Sequence, residues 1–246
     1  MYTIFYLYSI GEKAIEVLLV SENQYPLRTV RSFMRRAGRM SQAKKTALNT
    51  LWDDYCLELT QDTIDLDAIF QRHAPRILEI GFGMGYSLLE QAQNNPQQDF
   101  IGIEVHRPGV AVVLGAMATN NLHNIRLFCA DAVVVLQQCI ADASLDAVQI
   151  FFPDPWQKRR HHKRRLIQPV FLELLVSKLK TGGKLYLATD WEDYANHMLQ
   201  TLTTCKSLEN AYTEFAPRCP HRALTKFEVR GQKLGHSVWD LLFVKK

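Results

Sequence analysis

From Pro75 to the end of the chain, short apolar runs alternate with longer amphipathic stretches. Short continuous apolar runs predict buried strands, whereas apolar positions at helical spacing predict helices. The predicted strands are Arg76–Ile80, 100–105, 125–129, 147–152, 184–189 and 237–244. The predicted helices are Tyr86–Asn94, 108–121, a helix that starts at Ala132, 166–180 and 191–201. Gly182 and Gly183 follow the helix 166–180 and end it.

Strands that alternate with helices predict an α/β fold with a doubly wound, mainly parallel sheet. We assign this fold to a domain over residues 73–246, which an N-terminal extension, residues 1–72, precedes. Within the extension, the apolar runs 3–10 and 14–20 flank a Gly-Glu-Lys turn and indicate a hairpin. Ser41 is a candidate N-cap for a short helix.

An acidic residue stands at or just beyond the end of each of the first five predicted strands. These residues are Glu79, Glu104, Asp131, Asp154 and Asp190. In doubly wound sheets, ligands bind beyond the carboxyl ends of the strands. The five carboxylates are therefore candidate site residues.

The first strand leads into a turn in which Gly81, Gly83 and Gly85 alternate with other residues. Glycines permit a tight turn and the close approach of a ligand to the backbone. The spacing GxGxG differs from the GxGxxG of dinucleotide-binding folds, and Glu79, two residues before the first glycine, would repel a pyrophosphate. A carboxylate there suits a cationic ligand, such as one that carries an ammonium and a sulfonium. A plain strand–helix turn is the alternative interpretation.

Glu104 follows the glycines by about 20 residues, which is the spacing of the acid that binds ribose hydroxyls in nucleoside-binding α/β folds. Its two oxygens can accept from two vicinal hydroxyls. An exposed acid at a strand end is the alternative. Asp131 is placed to accept a hydrogen bond from an adenine amino group, although an aspartate before a helix is often only an N-cap.

Asp154 lies between Pro153 and Pro155, which restrict the turn after the fourth strand and hold the aspartate in a fixed position. Trp156 follows and offers a flat face to a base. An Asx-type turn beside a buried tryptophan is the alternative. The acids at neighbouring strand ends, and the basic run that follows at once, favour the functional interpretation.

Positive charge is concentrated in two segments, although the net charge is only +4. Seven basic residues and no acid lie in 23–52, and six basic residues and no acid lie in 156–165. The other 16 basic residues are outnumbered by the 25 acidic residues. This asymmetry favours a nucleic acid as partner over two solvated surface segments.

The five cysteines form no CxxC pair, so neither a disulfide framework nor a zinc site is predicted. A metal pair at His161 and His162 is disfavoured because six basic neighbours would repel a cation, and we predict no metal site. Reduced cysteines, and an N-terminus without the features of a signal peptide, favour the cytoplasm. No membrane-spanning segment is predicted.

Seven motifs occur in order along the chain. They are Arg36-Ala37-Gly38-Arg39, Glu79-Ile80-Gly81-Phe82-Gly83-Met84-Gly85, Gly102-Ile103-Glu104-Val105-His106, Phe152-Pro153-Asp154-Pro155-Trp156, Thr189-Asp190-Trp191, Thr225-Lys226-Phe227-Glu228 and Leu234-Gly235-His236. This set resembles the bacterial tRNA (guanine-N7-)-methyltransferases from about residue 28 to the end. The apolar first 25 residues depart from the family, whose members more often begin with a polar tail.

The resemblance implies a Rossmann-like class I methyltransferase fold with a seven-stranded sheet and S-adenosylmethionine as the cofactor. It implies a catalytic role for Asp154 and cofactor binding by Glu79, Gly81, Gly83, Gly85, Glu104, Asp131 and Asp154. It implies tRNA binding by Lys158, Arg160, His161, His162, Lys163, Arg164, Arg165, Asp190, Thr225, Lys226, Phe227 and Glu228. The implied reaction is methylation of the N7 atom of a guanine in tRNA, in the variable loop.

Three other functions are compatible with parts of the pattern. A methyltransferase that acts on rRNA, DNA or protein would share the cofactor site but not all seven motifs. A non-catalytic RNA-binding protein would not need every acid of the site. A nicotinamide-dependent dehydrogenase would need the other glycine spacing. We expect a monomer or a homodimer that binds tRNA and no membrane.

Overall fold

A computed structural model describes residues 32–33, 40–224, 228 and 237–246. The hairpin predicted over 3–10 and 14–20 lies outside the described residues, and so do the motifs at 36–39 and 234–236. Most of the basic side chains of segment 23–52 also fall outside this part of the chain.

In the described part of the chain, seven strands form one sheet in the order β3-β2-β1-β4-β5-β7-β6. The strands are β1 (Arg76–Ile80), β2 (Asp99–Ile103), β3 (Ile125–Phe128), β4 (Leu145–Phe151), β5 (Leu179–Thr189), β6 (Leu208–Asn210) and β7 (Trp239–Lys245). Neighbouring strands from β1 to β5 are parallel, whereas β7 pairs antiparallel with β5 and β6. The predicted doubly wound, mainly parallel seven-stranded sheet is confirmed.

Both faces of the central strands are buried, which is why these strands are continuously apolar. In β1, Ile77 and Leu78 point into different hydrophobic clusters, and Phe100 and Ile101 do the same in β2. The helices that cover the sheet are α1 (Gln42–Tyr55), α2 (Leu66–Phe70), α3 (Tyr86–Asn94), α4 (Arg107–Asn120), α5 (Ala132–Gln138), α6 (Pro169–Lys178) and α7 (Glu192–Thr204). Within the described ranges, none of the helices combines the length and the apolar character that a membrane span requires.

The helix after Ser41 is confirmed as α1, which buries Ala47 and Leu48 in the cluster on one face of the sheet. The short helix α2, which the sequence did not indicate, buries Leu66 and Phe70 in the other cluster. Both helices precede residue 73, and the domain boundary at that residue stays a prediction.

The predicted helix 166–180 is too long at both ends. Ile167 is buried ahead of the helix, where its N–H donates to the Tyr194 hydroxyl oxygen at 3.2 Å, and Pro169 begins α6. At the other end, Leu179 is already extended and pairs with Leu145, so β5 starts before the glycines. Apolar residues that fit helical spacing are thus buried here by strand pairing and by a loop.

Candidate active site

The five predicted acids gather at one edge of the sheet. Because β1 to β5 run parallel, their carboxyl ends meet there. Glu79 is the next-to-last residue of β1, Glu104 and Asp131 follow β2 and β3, Asp154 follows β4, and Asp190 follows β5. This edge is the place where a doubly wound sheet binds its ligands.

The glycine turn after β1 presents its backbone to open space. Gly81 and Gly83 have φ angles of +77° and +58°, the left-handed region that glycine enters without strain. A Cβ atom added to either residue would meet nothing within 4 Å. On its other side the turn is packed tightly, because a Cβ atom at Gly109, in the first turn of α4, would lie 2.0 Å from the Gly83 carbonyl oxygen. The sequence prediction missed Gly109, which follows Pro108 at a helix start.

Glu104 holds this turn in place. Its Oε2 accepts from the Gly83 N–H at 2.8 Å, and its Oε1 accepts from the N–H groups of Val105 and His106 at 2.6 and 2.8 Å. A carboxylate has about four acceptor positions, so these three bonds leave limited capacity for ribose hydroxyls. Glu104 therefore shapes the glycine turn in addition to its predicted contact with a ligand.

Glu79 is a buried acid that has no cationic side chain beside it among the described residues. Only 4% of the residue is exposed, and Oε2 has no hydrogen-bond partner among the described residues. Burial, together with the negative charge of Glu104, raises the pKa of Glu79 to about 8. A cationic group placed beside such a buried acid would stabilise its charged form. The site therefore suits the positive charges of S-adenosylmethionine.

Asp131 is the N-cap of α5, as the alternative interpretation held. Its Oδ1 accepts from the Val133 N–H at 3.0 Å. The carboxylate retains a second oxygen, so the predicted bond to an adenine amino group stays a prediction.

The turn after β4 that carries Asp154 is bounded by backbone in an unusual conformation. Phe152 and Trp156 have φ angles of +53° and +46°, a region that costs a non-glycine residue about 1–3 kcal/mol. Asp154 itself is exposed. Backbone strain of this kind persists where surrounding contacts impose it, and it clusters at functional sites. We call residues Phe152–Trp156 the catalytic turn, after the role that the sequence predicts for Asp154.

The basic run forms a 3-10 helix, Arg159–Arg164, next to the catalytic turn. Lys158, Arg160 and Lys163 are exposed. Arg164 lies over the Trp156 ring at 4.9 Å, and His161 meets the edge of the same ring. Desolvation and the surrounding cations, among them Arg160 and Arg164, lower the pKa of His161. His162 is partly buried and lies 3.8 Å from Asp193.

Arg165 ends this run but does not share its exposure. It is 1% exposed, and its guanidinium group donates to the Pro155 carbonyl oxygen and to Asp193. Arg165 is therefore buried, unlike the exposed side chains that the sequence analysis assigned to RNA binding together with it.

Glu228 is also buried rather than open to a substrate. Arg222 donates to Glu228 and to both oxygens of Asp240, and its guanidinium carbon lies 5.1 Å from the centre of the Phe152 ring. Arg222 thus links Glu228 to the catalytic turn, and it occupies one of the Glu228 oxygens. The sequence prediction missed Arg222 and Asp240, because their pairing joins residues from different elements.

The remaining substrate residues lie partly outside the described chain. Thr225, Lys226 and Phe227 fall outside it, whereas Asp190 is described and exposed. In the part of the chain that the structure describes, no group of three or more metal-ligating side chains occurs.

Known proteins are similar to this chain in sequence and in fold. Residues 73–241 match a family model described as "Putative methyltransferase". The tRNA (guanine-N(7)-)-methyltransferase of Pseudomonas paraeruginosa is 53% identical over 220 residues, which cover 89% of this chain and 90% of that protein. The protein of the same name from Yersinia pestis (strain Pestoides F) is 51% identical over 227 residues, which cover 92% and 95% of the two chains.

Two solved structures are similar in fold. The aminoglycoside resistance methyltransferase NpmB1 has a TM-score of 0.54 and 16% identity, over 77% of this chain and 95% of its own. The 16S rRNA methyltransferase KamB has a TM-score of 0.53 and 13% identity, over 88% and 99%. At such identities the likeness concerns the fold alone.

Proposed function

We infer that this chain, which belongs to the tRNA (guanine-N(7)-)-methyltransferase family, methylates the N7 atom of a guanine in the variable loop of tRNA. The observation that carries the inference is the row of five carboxylates at one edge of the sheet, in a chain 53% identical to a relative named for this reaction. An acidic pocket suits a cationic methyl donor, and the exposed basic run beside it suits RNA.

S-adenosylmethionine, when bound, supplies an electrophilic methyl group on a positively charged sulfonium. We assign its binding to Glu79, Glu104, Asp131 and the glycine turn. The buried Oε2 of Glu79, which lacks a hydrogen-bond partner among the described residues, supports this fit. The open space beside Gly81 and Gly83 supports it further, because a ligand can reach the backbone there.

The acceptor needs no general base. The N7 atom of neutral guanine carries a free lone pair, so it attacks the methyl carbon without first losing a proton. With the cofactor held by Glu79, Glu104 and Asp131, the new N–C bond would form as the C–S bond breaks, and the electrons of the C–S bond would stay on sulfur. The task of the protein is to align nucleophile, carbon and sulfur, and such alignment is worth about 7–11 kcal/mol.

Asp154 has an orienting and electrostatic role in this proposal. Methylation places positive charge on the purine ring, so a fixed carboxylate nearby interacts more favourably with the transition state than with the ground state. The catalytic turn supports this role because two prolines and two residues with positive φ restrict its backbone.

Asp190 is our candidate for selecting guanine. A carboxylate can accept from the N1–H and the amino group of guanine, whereas adenine offers no N1–H. Asp190 is exposed directly after β5, and β5 is the strand next to the one that leads to Asp154. Glu228 is less suited to this role because Arg222 occupies one of its oxygens.

Exposed Lys158, Arg160 and Lys163 contact tRNA phosphates in this proposal. Arg164 stacked on Trp156 extends the basic surface up to the catalytic turn. The enzyme acts in the cytoplasm, as a monomer or a homodimer.

The function is tested by methylating unmodified tRNA with the purified protein. The product is then treated by reductive strand scission at 7-methylguanine. We expect one cut in the variable loop that depends on S-adenosylmethionine. A cut elsewhere would refute the assigned position, and methylated RNA that resists scission would refute the assigned atom.

Replacing Glu104 by alanine should weaken S-adenosylmethionine binding by about 2 kcal/mol or more, the scale for lost hydrogen bonds to a charged group. The substitution removes the acceptor for three backbone N–H groups, including that of Gly83, so the turn loses its support as well. Isothermal calorimetry measures the change. Glu104→Gln is the matched variant, and it should lose less affinity for S-adenosylmethionine because glutamine keeps one acceptor oxygen. An unchanged affinity in the alanine variant would remove Glu104 from the pocket.

A further inference from the structure

The carbonyl group of Pro155, one residue after Asp154, is held from outside the catalytic turn. The Nε atom of Arg165 donates to this oxygen at 3.0 Å. Pro155 shares the turn with Phe152 and Trp156, whose positive φ angles require outside support. The bond from Arg165 is one such support, and it acts next to the catalytic aspartate.

The other contacts of Arg165 fix its guanidinium group on the first turn of α7. One Nη donates to Asp193, and the group lies over the Tyr194 ring at 4.8 Å. The same Nη lies 3.2 Å from Nε2 of His162. Hydrogen bonding to Arg165 is the main reason that the pKa of Asp193 is lowered, which favours the charged form of this carboxylate. Arg165 therefore joins the turn after β4 to the helix after β5.

Burial distinguishes Arg165 from the cations that precede it. It is 1% exposed, whereas Lys163, two residues earlier, is exposed. Contact with a phosphate would require the guanidinium group to leave Asp193, Tyr194 and the Pro155 carbonyl. Leaving the partly buried Pro155 carbonyl oxygen without its donor is unfavourable, and the exposed lysines bind phosphate without that cost.

We propose that Arg165 is a positioning residue for Asp154 and makes no contact with tRNA phosphate. In this role Arg165 holds the catalytic turn against α7. The proposal rests on the proposed function. The planar guanidinium group is suited to this task because one side chain can donate to the Pro155 carbonyl and to Asp193 at the same time. A lysine ammonium in its place cannot span both acceptors with the same geometry.

The test compares Arg165→Met and Arg165→Lys with the wild type in single-turnover methylation at saturating cofactor. We expect the rate at saturating tRNA to fall about 100-fold in both variants, since a displacement of about 1 Å has that effect on catalysis. The dissociation constant for tRNA should be measured over a series of salt concentrations. The slope of its logarithm against the logarithm of the salt concentration should be the same as for the wild type. A wild-type rate in Arg165→Lys would overturn the proposal. So would a salt dependence of tRNA binding that is lower by about one ion in Arg165→Met.

Lys163→Ala is the matched control for a phosphate contact in the same run. It should weaken tRNA binding and flatten the salt dependence by about one ion. Both Arg165 variants should differ from Lys163→Ala, because they should keep the wild-type salt dependence of tRNA binding and should methylate more slowly.

Asp193→Asn gives a second test if the Arg165 variants do not fold. The Asp193 side chain is 63% exposed, so its replacement spares the core. We expect a slower maximal rate with unchanged tRNA affinity. Stronger tRNA binding with a steeper salt dependence would mean that Asp193 restrains a phosphate ligand, and it would overturn the proposal. Failure of the wild type to methylate guanine N7 would instead refute the proposed function.

Discussion

Replacing Asp154 by alanine should lower the rate of methyl transfer by about 100- to 1000-fold, the range for removing one preorganised electrostatic contact to a transition state. The affinity for S-adenosylmethionine should change by no more than a few-fold, because Glu79 and Glu104 remain in place. The unequal response follows from the charge that appears on the purine ring only as the methyl group arrives. An equal loss in rate and in cofactor affinity would place Asp154 in cofactor binding instead.

The measurement is single-turnover methylation with enzyme in excess, combined with calorimetric titration of the cofactor. Asp154→Asn is the matched control because asparagine keeps the size and the hydrogen-bonding oxygen but loses the charge. If charge is what matters, asparagine should be nearly as slow as alanine. If orientation through a hydrogen bond dominates, asparagine should retain most of the rate. Near-normal turnover in both variants would show that Asp154 is not catalytic.

The central strands and helices were predictable because their signals are local. The structure confirms Arg76–Ile80 and Tyr86–Asn94 at the predicted bounds, where apolar runs are closed by glycines and by an Asn-Pro pair. The order of acids along the chain also sufficed to place Glu79, Glu104 and Asp154 at one edge, because parallel strands align their ends. The three-residue strand Leu208–Asn210 escaped prediction because so short a segment shows no periodicity.

The state of the site residues depended on contacts that the sequence does not display. In the sequence Arg165 continues a run of exposed cations, whereas in the fold it is buried and pairs with Asp193, 28 residues later. The partners of Glu104 are backbone N–H groups, which no residue type announces, so the sequence indicated ribose hydroxyls alone. Glu228 was grouped with the substrate residues by its motif, whereas its pairing with Arg222 becomes visible only in the folded chain.

Cofactor binding should release a proton from Glu79 near neutral pH. Burial and the charge of Glu104 raise the pKa of Glu79 to about 8 in the protein without cofactor, so the carboxyl group is mostly protonated at pH 7. A cationic cofactor favours the carboxylate, and it therefore binds with loss of that proton. We expect the affinity for S-adenosylmethionine to rise about ten-fold per unit as the pH approaches 8 from below, and to level off above it.

The same shift links Glu79 to the stability of the cofactor-free protein. The folded-state pKa lies above the ordinary value of 4.5, so the protonated form stabilises the fold. That contribution is fully present below about pH 4.5 and is lost as the pH rises through about 8. Glu79→Gln, which cannot ionise, should therefore unfold at a higher temperature than the wild type at pH 8 and bind the cofactor more weakly. A lower unfolding temperature for the variant at this pH would contradict the assigned burial of charge.

Calorimetry in two buffers of different ionisation enthalpy counts the protons released on binding. The wild type should release about one more proton than Glu79→Gln at pH 7, and the difference should vanish well above pH 8. Because the free cofactor is the same in both titrations, the comparison reports the contribution of Glu79 to proton release. Equal proton release from the two proteins at pH 7 would mean that Glu79 does not change its charge on binding, so the positive donor would have to be balanced by another acid of the site.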